Sequence, residues 1–362
     1  MYYYAGLTRG FGMNTINKPI SQFGLAFQAF RRKRLAMACV WMLGVLYAMA
    51  IFADFFSPYS YKDEDRNFSY CPPMAVEFLD KGKLSWPFVY GRTLKFNEVH
   101  QREFAIDRAQ KYPLHFFKNG HLFGVPAPGR VYIWGGDSRG RDLFSRIWHG
   151  ARISLSIGIV GVAISFGLGL LIGGIAGYFG GWVDNVLMRV CEMFMMVPGF
   201  YLMLALRAAV PDNFNSLQIY ISVVVILALI GWASLARIIR GMALSLRERE
   251  YVLAAKTMGV SDAVIIIKHI LPHTISYSLA AIMLSIPSYI LSEAGLSLLG
   301  LGIQDPIPSW GNLLSDAMGI VPIVFAPWIL LPGLFIFITA MCFNIIGDTL
   351  RDAFDPMFKE GN

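Results

Sequence analysis

The feature that most limits this chain is a series of apolar runs, each about twenty residues long. A helix rises 1.5 Å per residue, so about 20 apolar residues cross the ~30 Å hydrocarbon core of a bilayer. The first run extends from Leu35 to about Phe56. Later runs cover Ile153 to about Tyr178, Asn215 to Ala236, Thr274 to Ser292, and Val321 to Ile346. "NVLMRVCEMFMMVPGFYLMLAL" supplies one more, although Arg189 and Glu192 lie inside it. Those two stand three apart, so on a helix they can pair and lower the cost of burial. The chain is 56% hydrophobic and 15% charged, where a soluble domain carries about 25% charged residues. The reading is an all-α polytopic membrane protein with six transmembrane helices.

The segments between the runs set the expected organisation. Arg31, Arg32, Lys33 and Arg34 precede the first run and favour a cytoplasmic N-terminal segment, 1–34. About thirty residues precede that run and no small-residue cleavage site follows it, so it reads as an uncleaved span, 35–56. Residues 57–137 form a mixed-charge extramembrane insertion. Within it, "WPFVYGRTLKF" and "GRVYIWGGD" alternate like short strands, so the insertion is expected to be partly β. Spans two to six occupy 138–346, with a basic cytoplasmic loop at 237–271 and a polar cytoplasmic tail at 347–362. Arg139, Arg141, Arg146 and Arg152 would then lie outside, against the positive-inside tendency, which is weaker beside long loops. The net charge of +7 reflects basic residues at the ends of the runs, not a nucleic-acid surface. Cys39, Cys71, Cys191 and Cys342 show neither a disulfide frame nor metal spacing.

Three local patterns carry more detail. Leu143, Phe144, Ile147, Trp148 and Ala151 share one helical face, with Arg141, Asp142, Ser145 and Arg146 elsewhere, as in a helix lying at a membrane interface. Gly169, Gly173, Gly177 and Gly181 fall four apart and make a smooth face for close helix packing. "EYVLAAKTMGVSDAVIIIKHILPH", Glu250 to His273, reads as a helical hairpin. Glu248–Met258 forms its first helix, with Ala254 and Ala255 as a shallow surface. Gly259 turns the chain, and Ser261 caps a second helix with its side chain. Leu271-Pro272 ends that helix, and Pro272 enters the first turn of span five. Such a bent element fits a groove on a soluble partner; it also reads as an ordinary loop.

Glu250, Ala254, Ala255, Gly259, Leu271 and Pro272 resemble the EAA motif of bacterial ABC importer permeases. "GRDLFSRIWHGARISLSIG", "VDNVLMRVCEMFMMVP", "LSEAGLSLLGLGIQDPIPSWGNLLSDA" and "GDTLRDAFDP" resemble segments of the dipeptide, oligopeptide and nickel branch, in its second, C-type permease. The likeness covers most of Arg31 to Pro356. It departs at Pro72–Val131, which is longer than in ordinary dipeptide permeases. The resemblance implies a type I permease fold in the bacterial inner membrane, with both termini cytoplasmic. It implies a homologous second permease, two ATPase subunits that hold ATP and magnesium, and an extracytoplasmic substrate-binding protein. The EAA-like residues would couple to the ATPases. Peptides are the favoured cargo, with nickel, glutathione-like or modified peptides, and sugars open. No G-x-x-x-x-G-K-[ST] loop occurs, so neither enzymatic activity nor a cofactor is expected in this chain.

Other chemistries are weaker. His269 and His273 stand four apart, but Pro272 interrupts their helix and no third ligand is near, so no metal site is expected. An intramembrane enzyme finds no motif. An ion-coupled secondary transporter or channel is the alternative, with Arg189, Glu192 and Glu293 as path groups. Glu293 reads as solvated near the end of span five. Met193, Met195, Met196 and Tyr201 of span three, with Ser285 and Ser288 of span five, are candidate path residues, since flexible Met tolerates varied cargo; helix packing is the more frequent reason for such a Met run.

Overall fold

The computed structural model describes residues 22–80, 83–96, 102–118, 120–211 and 213–354. Residues 1–21 of the expected N-terminal segment and 355–362 of the expected tail lie outside the described residues. Helices α1 (Gln22–Arg32), α2 (Arg34–Ile51) and α3 (Ala53–Phe56) lead into the insertion. There, β1 (Glu77–Asp80), β2 (Lys83–Phe96) and β3 (Arg102–Pro113) form an antiparallel sheet in that order, and β4 (His115–Lys118) pairs with β5 (His121–Gly124). "GRVYIWGGD" is not a strand: it runs through turns and touches sheet geometry only at the Gly136–Asp142 bridge. Val131 and Tyr132 are both buried, Val131 with Val89, Leu114 and Phe123 and Tyr132 with Cys71 and Met74, so neither side is left to solvent.

The membrane part follows as α4 (Leu143–Phe179), α5 (Gly181–Met196), α6 (Gly199–Ala208) and α7 (Ser216–Leu246). After these come α8 (Glu250–Thr257), α9 (Asp262–Ile265), α10 (Leu271–Leu298), α11 (Trp310–Ser315), α12 (Ile320–Phe325) and α13 (Leu331–Phe354). Among the described residues, five stretches are long and apolar enough to cross a membrane, and α5–α6, bent by 86°, makes a sixth when the pair is counted as one broken span. The bend falls at Val197-Pro198, where proline cannot donate a helical hydrogen bond and disfavours α geometry in the residue before it. Pro322, Pro327 and Pro332 likewise break the start of span six into α12, a short 3₁₀ turn and α13. Two helices overrun their apolar runs: α7 continues to Leu246, and α13 carries the supposed tail on to Phe354.

Close packing of α4 organises the bundle. A side chain at Gly173 would strike the carbonyl of Ala236, and one at Gly177 would lie 2.6 Å from the carbonyl of Arg240. Gly169 faces Leu235 in the same way, so three of the four spaced glycines seat α4 on α7. Gly181 does not: it opens α5 at φ +55°, with nothing within 4 Å of an added Cβ. On another face of α4, Gly158 and Gly161 receive Ile286 and Tyr289 of α10.

At 37 residues, α4 is about 55 Å long, far more than the hydrocarbon requires. Its first three turns are covered by the insertion and by the segment after α10. They do not keep an exposed polar side opposite a buried apolar one. Arg146, Ser145 and His149 are buried along with Leu143, Ile147 and Trp148, because the insertion and the segment after α10 wrap the polar side as well.

Candidate functional site: a coupling hairpin, a broken span and a locked far end

The hairpin between α7 and α10 is built as a two-faced element. Val252 and Ala255 of α8 are buried with Ile265, Ile266 and Ile270 against Tyr178 and Ala243, the ends of α4 and α7. Glu250, Ala254, Leu253 and Met258 remain exposed on the other side. Hence the alanine pair divides: Ala255 roots the hairpin and Ala254 faces outward. Gly259 sits at φ +77° with nothing within 4 Å of an added Cβ, so its requirement is conformational, not spatial.

Two details differ from the sequence reading. Ser261 is the N-cap of α9 by position, but its side chain makes no capping bond. The Tyr178 hydroxyl instead donates to Asp262 Oδ1 at 2.6 Å, tying the hairpin to the end of α4. Nor does Leu271-Pro272 end the second helix. A π-helical turn, Ile266–Ile270, absorbs the extra residue, so proline falls in the opening of α10 and the helix continues. From Asp262 to Leu298 the chain forms one 37-residue helical rod. His269 and His273 lie on it, and no metal-binding group of three or more acid, His or Cys residues occurs among the described residues.

The broken α5–α6 span presents the candidate path residues. Met193, Met195, Met196 and Tyr201 are all exposed around the bend. Ser288 is exposed too, whereas Ser285 is half-buried and donates to the Ala281 carbonyl at 2.7 Å. Arg189 and Glu192 do pair, at 2.7 Å, but on the surface: the Arg189 side chain is 81% exposed. Deeper in the helix pair, Arg240 bonds Asp184 Oδ1 through Nε at 2.9 Å, joining α7 to α5.

The far end is held by ionic groups that sequence spacing gave no means to assemble. Arg141 meets Asp137 at 2.6 Å and Asp305 at 2.9 Å; Arg146 meets Asp305 at 2.8 Å. Arg139 reaches Glu64 and Asp305, and Arg152 reaches Asp54 at 3.0 Å. Each of the four arginines that sat awkwardly with the charge rule is thus paired with carboxylate. Burial opposes charge on Asp305, yet Arg146 and Arg141 hold its carboxyl below the usual range. A bond from His149 does the same for Asp54, with help from Arg152. Asp142 differs. It caps α4 by accepting from the Ser145 N–H at 2.8 Å and the Ser145 hydroxyl at 2.6 Å, but burial pushes its carboxyl up to about 7.

Glu293 is the largest departure. It is not solvated but fully buried. Ser297 and Ser309 donate to Oε1 at 2.6 and 2.7 Å, and Ser154 reaches Oε2 at 3.4 Å. Ser309 also caps α11, and Ser154 accepts from the Trp310 N–H at 3.0 Å. One carboxylate therefore pins α4, α10 and α11 together. The available signal was the Glu293–Ser297 spacing of four inside an apolar helix.

The family profile described as "Binding-protein-dependent transport system inner membrane component" matches residues 169–360. The chain belongs to that family. A second profile, "N-terminal TM domain of oligopeptide transport permease C", matches residues 21–73 of this inner membrane component. It is 36% identical to the oligopeptide transport system permease protein OppC of Bacillus subtilis, over 64% of this chain and 74% of that one. It is 32% identical to the dipeptide transport system permease protein DppC of the same organism, over 92% and 85%. With the glutathione transport system permease protein GsiD of Pectobacterium atrosepticum it shares 39% identity over 64% and 75%. The protein is accordingly a multi-pass inner membrane permease of a binding-protein-dependent transport system, not an enzyme. A secondary transporter is not favoured, and the pinned Glu293 is a poor candidate for a group that loads and releases an ion.

Proposed function

We propose that this permease forms half of a peptide path and takes its driving force through the hairpin. The peptide, dipeptide and glutathione cargoes in its relatives' names support short peptides as the substrate class. A homologous second permease completes the path, two ATPase subunits carry ATP and magnesium, and a binding protein delivers cargo. The carrying observation is the division of α8, with Val252 and Ala255 rooted in the bundle and Glu250 and Ala254 presented outward. A helix exposed on one side and anchored on the other can enter a groove on a soluble partner and pass its displacement inward. Leu271 and Pro272 open the rod that carries the motion, and Gly259 sets the angle between the two short helices. Loop 237–271 and both termini face the cytoplasm in this reading. Met193, Met195, Met196 and Tyr201, beside Ser288, line the shared path at the bend; Ser285 supports it from behind.

The test reconstitutes the permease pair with its ATPases and follows uptake of labelled di- and oligopeptides. ATP-dependent uptake, abolished when Glu250 and Ala254 are both replaced by Arg, is the expected result. Labelling a cysteine at Met258 from the exterior of intact cells would overturn the orientation and the coupling role together.

A further inference from the structure

Strand β2 begins Lys83-Leu84-Ser85-Trp86, an alternation that normally marks one buried and one solvated face. Here neither face is covered. Leu84 is 87% exposed and Trp86 63% exposed. Leu79 of β1 stands directly across from Leu84 and is exposed as well, so the apolar side spans two strands. Trp86 packs edge-on against Phe116 of β4 at 6.0 Å. The next residue, Phe117, is 74% exposed at φ +54°, a conformation costly for a bulky side chain. Its ring lies 6.3 Å from Phe55, at the insertion end of the first span. His121 of β5 donates from Nδ1 to the Asp54 carbonyl at 3.1 Å, fastening the same hairpin to α3.

Two ring contacts, Trp86 with Phe116 and Phe117 with Phe55, lead from β2 through β4 to the outside of a membrane helix. On α2, Trp41, Val45 and Ile51 are exposed, and Phe52 and Phe55 prolong that apolar surface to the point where Phe117 joins it. Asp54, paired with Arg152 and His149, marks the depth at which polar groups resume. Aromatic side chains concentrate at this level of a bilayer, where an apolar body and a wet surrounding are both available. We propose that the insertion rests on the membrane: Leu79, Leu84, Trp86 and Phe117 enter the headgroup–acyl boundary of the leaflet at the end of α2 that bears the insertion. Lys83 and Ser85, on the opposite side of β2, face water. The occupant of the apolar face is lipid, and the long segment that departs from ordinary dipeptide permeases is a membrane-seated platform.

The test uses the intact transport complex in nanodiscs, with the four native cysteines replaced and single spin labels at positions 83, 84, 85 and 117. Lipid contact predicts an oxygen-to-nickel-chelate accessibility ratio several-fold higher at 84 and 117 than at 83 and 85. Equal ratios at all four positions would overturn the proposal. So would labels at 84 and 117 that remain open to the chelate until binding protein is added, which would assign the face to that protein instead. A second measurement needs no label. Lipids brominated near the headgroup should quench wild-type fluorescence more than that of Trp86→Phe; identical quenching would also overturn the proposal.

Discussion

The hydroxyl of Tyr178 donates to the carboxylate of Asp262 at 2.6 Å, joining the last turn of α4 to the first turn of α9. It links the helix that organises the bundle to the element proposed to receive force. A hydrogen bond to a charged group contributes about 1.5–3 kcal/mol, and less where solvent competes, as at exposed Asp262. Tyr178→Phe should therefore leave the protein inserted and folded while weakening coupling. ATP-dependent uptake is expected to fall several-fold at unchanged ATPase co-purification. Unchanged uptake would remove this bond from the mechanism.

Gly259 gives a prediction of a different kind. Because space around it is open, only its left-handed conformation resists substitution. That conformation costs most L-residues roughly 1–2 kcal/mol, and Asn or Asp less. Gly259→Val should weaken ATPase docking markedly, Gly259→Asp moderately, and Gly259→Asn least. Pull-down of the ATPases with each variant checks the ranking; equal retention of all three contradicts it.

Gly177 and Gly167 lie on the same helix but differ in surroundings. A Cβ at Gly177 would meet Ala243 at 2.5 Å and the Arg240 carbonyl at 2.6 Å, whereas at Gly167 nothing lies within 4 Å. Overpacking a close helix contact typically costs about 1–3 kcal/mol. Gly177→Val should reduce the yield of folded permease and lower its thermal midpoint, while Gly167→Ala should change neither. Thermal unfolding in detergent, followed by size exclusion, separates the two.

How much of this was legible beforehand follows from distance along the chain. The hairpin was readable because its turn, its alanine pair and its proline lie within two dozen residues. The glycine face was readable because helix geometry alone aligns positions four apart. The arginine–carboxylate cluster was not, since Arg146 and Asp305 meet across 159 positions. Glu293 was misplaced for the same reason: two of its three serine partners, Ser154 and Ser309, come from other elements. The π-helical turn was also hidden, because the proline that seemed to stop a helix is tolerated where the hydrogen-bond register has already shifted.

Asp142 predicts a pH dependence. Its folded carboxyl is raised to about 7 from an ordinary 3.8. The folded state therefore binds the proton more tightly than the unfolded state. The associated stability is fully present below about pH 4 and is lost as pH rises toward 7. Asp142→Ser keeps a helix cap without a titrating group. Between pH 4 and 7 the wild-type midpoint should drop relative to that variant, and the difference should level off above pH 7. Parallel melting curves across the range would refute this.

Glu293 offers the remaining check. Removing it strands three buried hydroxyl donors, each costing about 1–3 kcal/mol. Glu293→Ala should abolish accumulation of the permease. Glu293→Gln, which keeps one acceptor, should retain ATP-dependent uptake with an unaltered pH profile. A shifted profile would revive proton coupling.

The rod from Asp262 to Leu298 has a geometric corollary. It begins at the hairpin and ends beside the carboxylate that pins α4, α10 and α11. Over a lever of about 55 Å, a rotation of roughly 5° at the base sweeps the tip by about 5 Å, one full helical turn. Under the proposed coupling, a small tilt at the hairpin is carried through the π-helical turn at Ile266–Ile270 and geared up into a shift on the scale of one peptide residue at the other end.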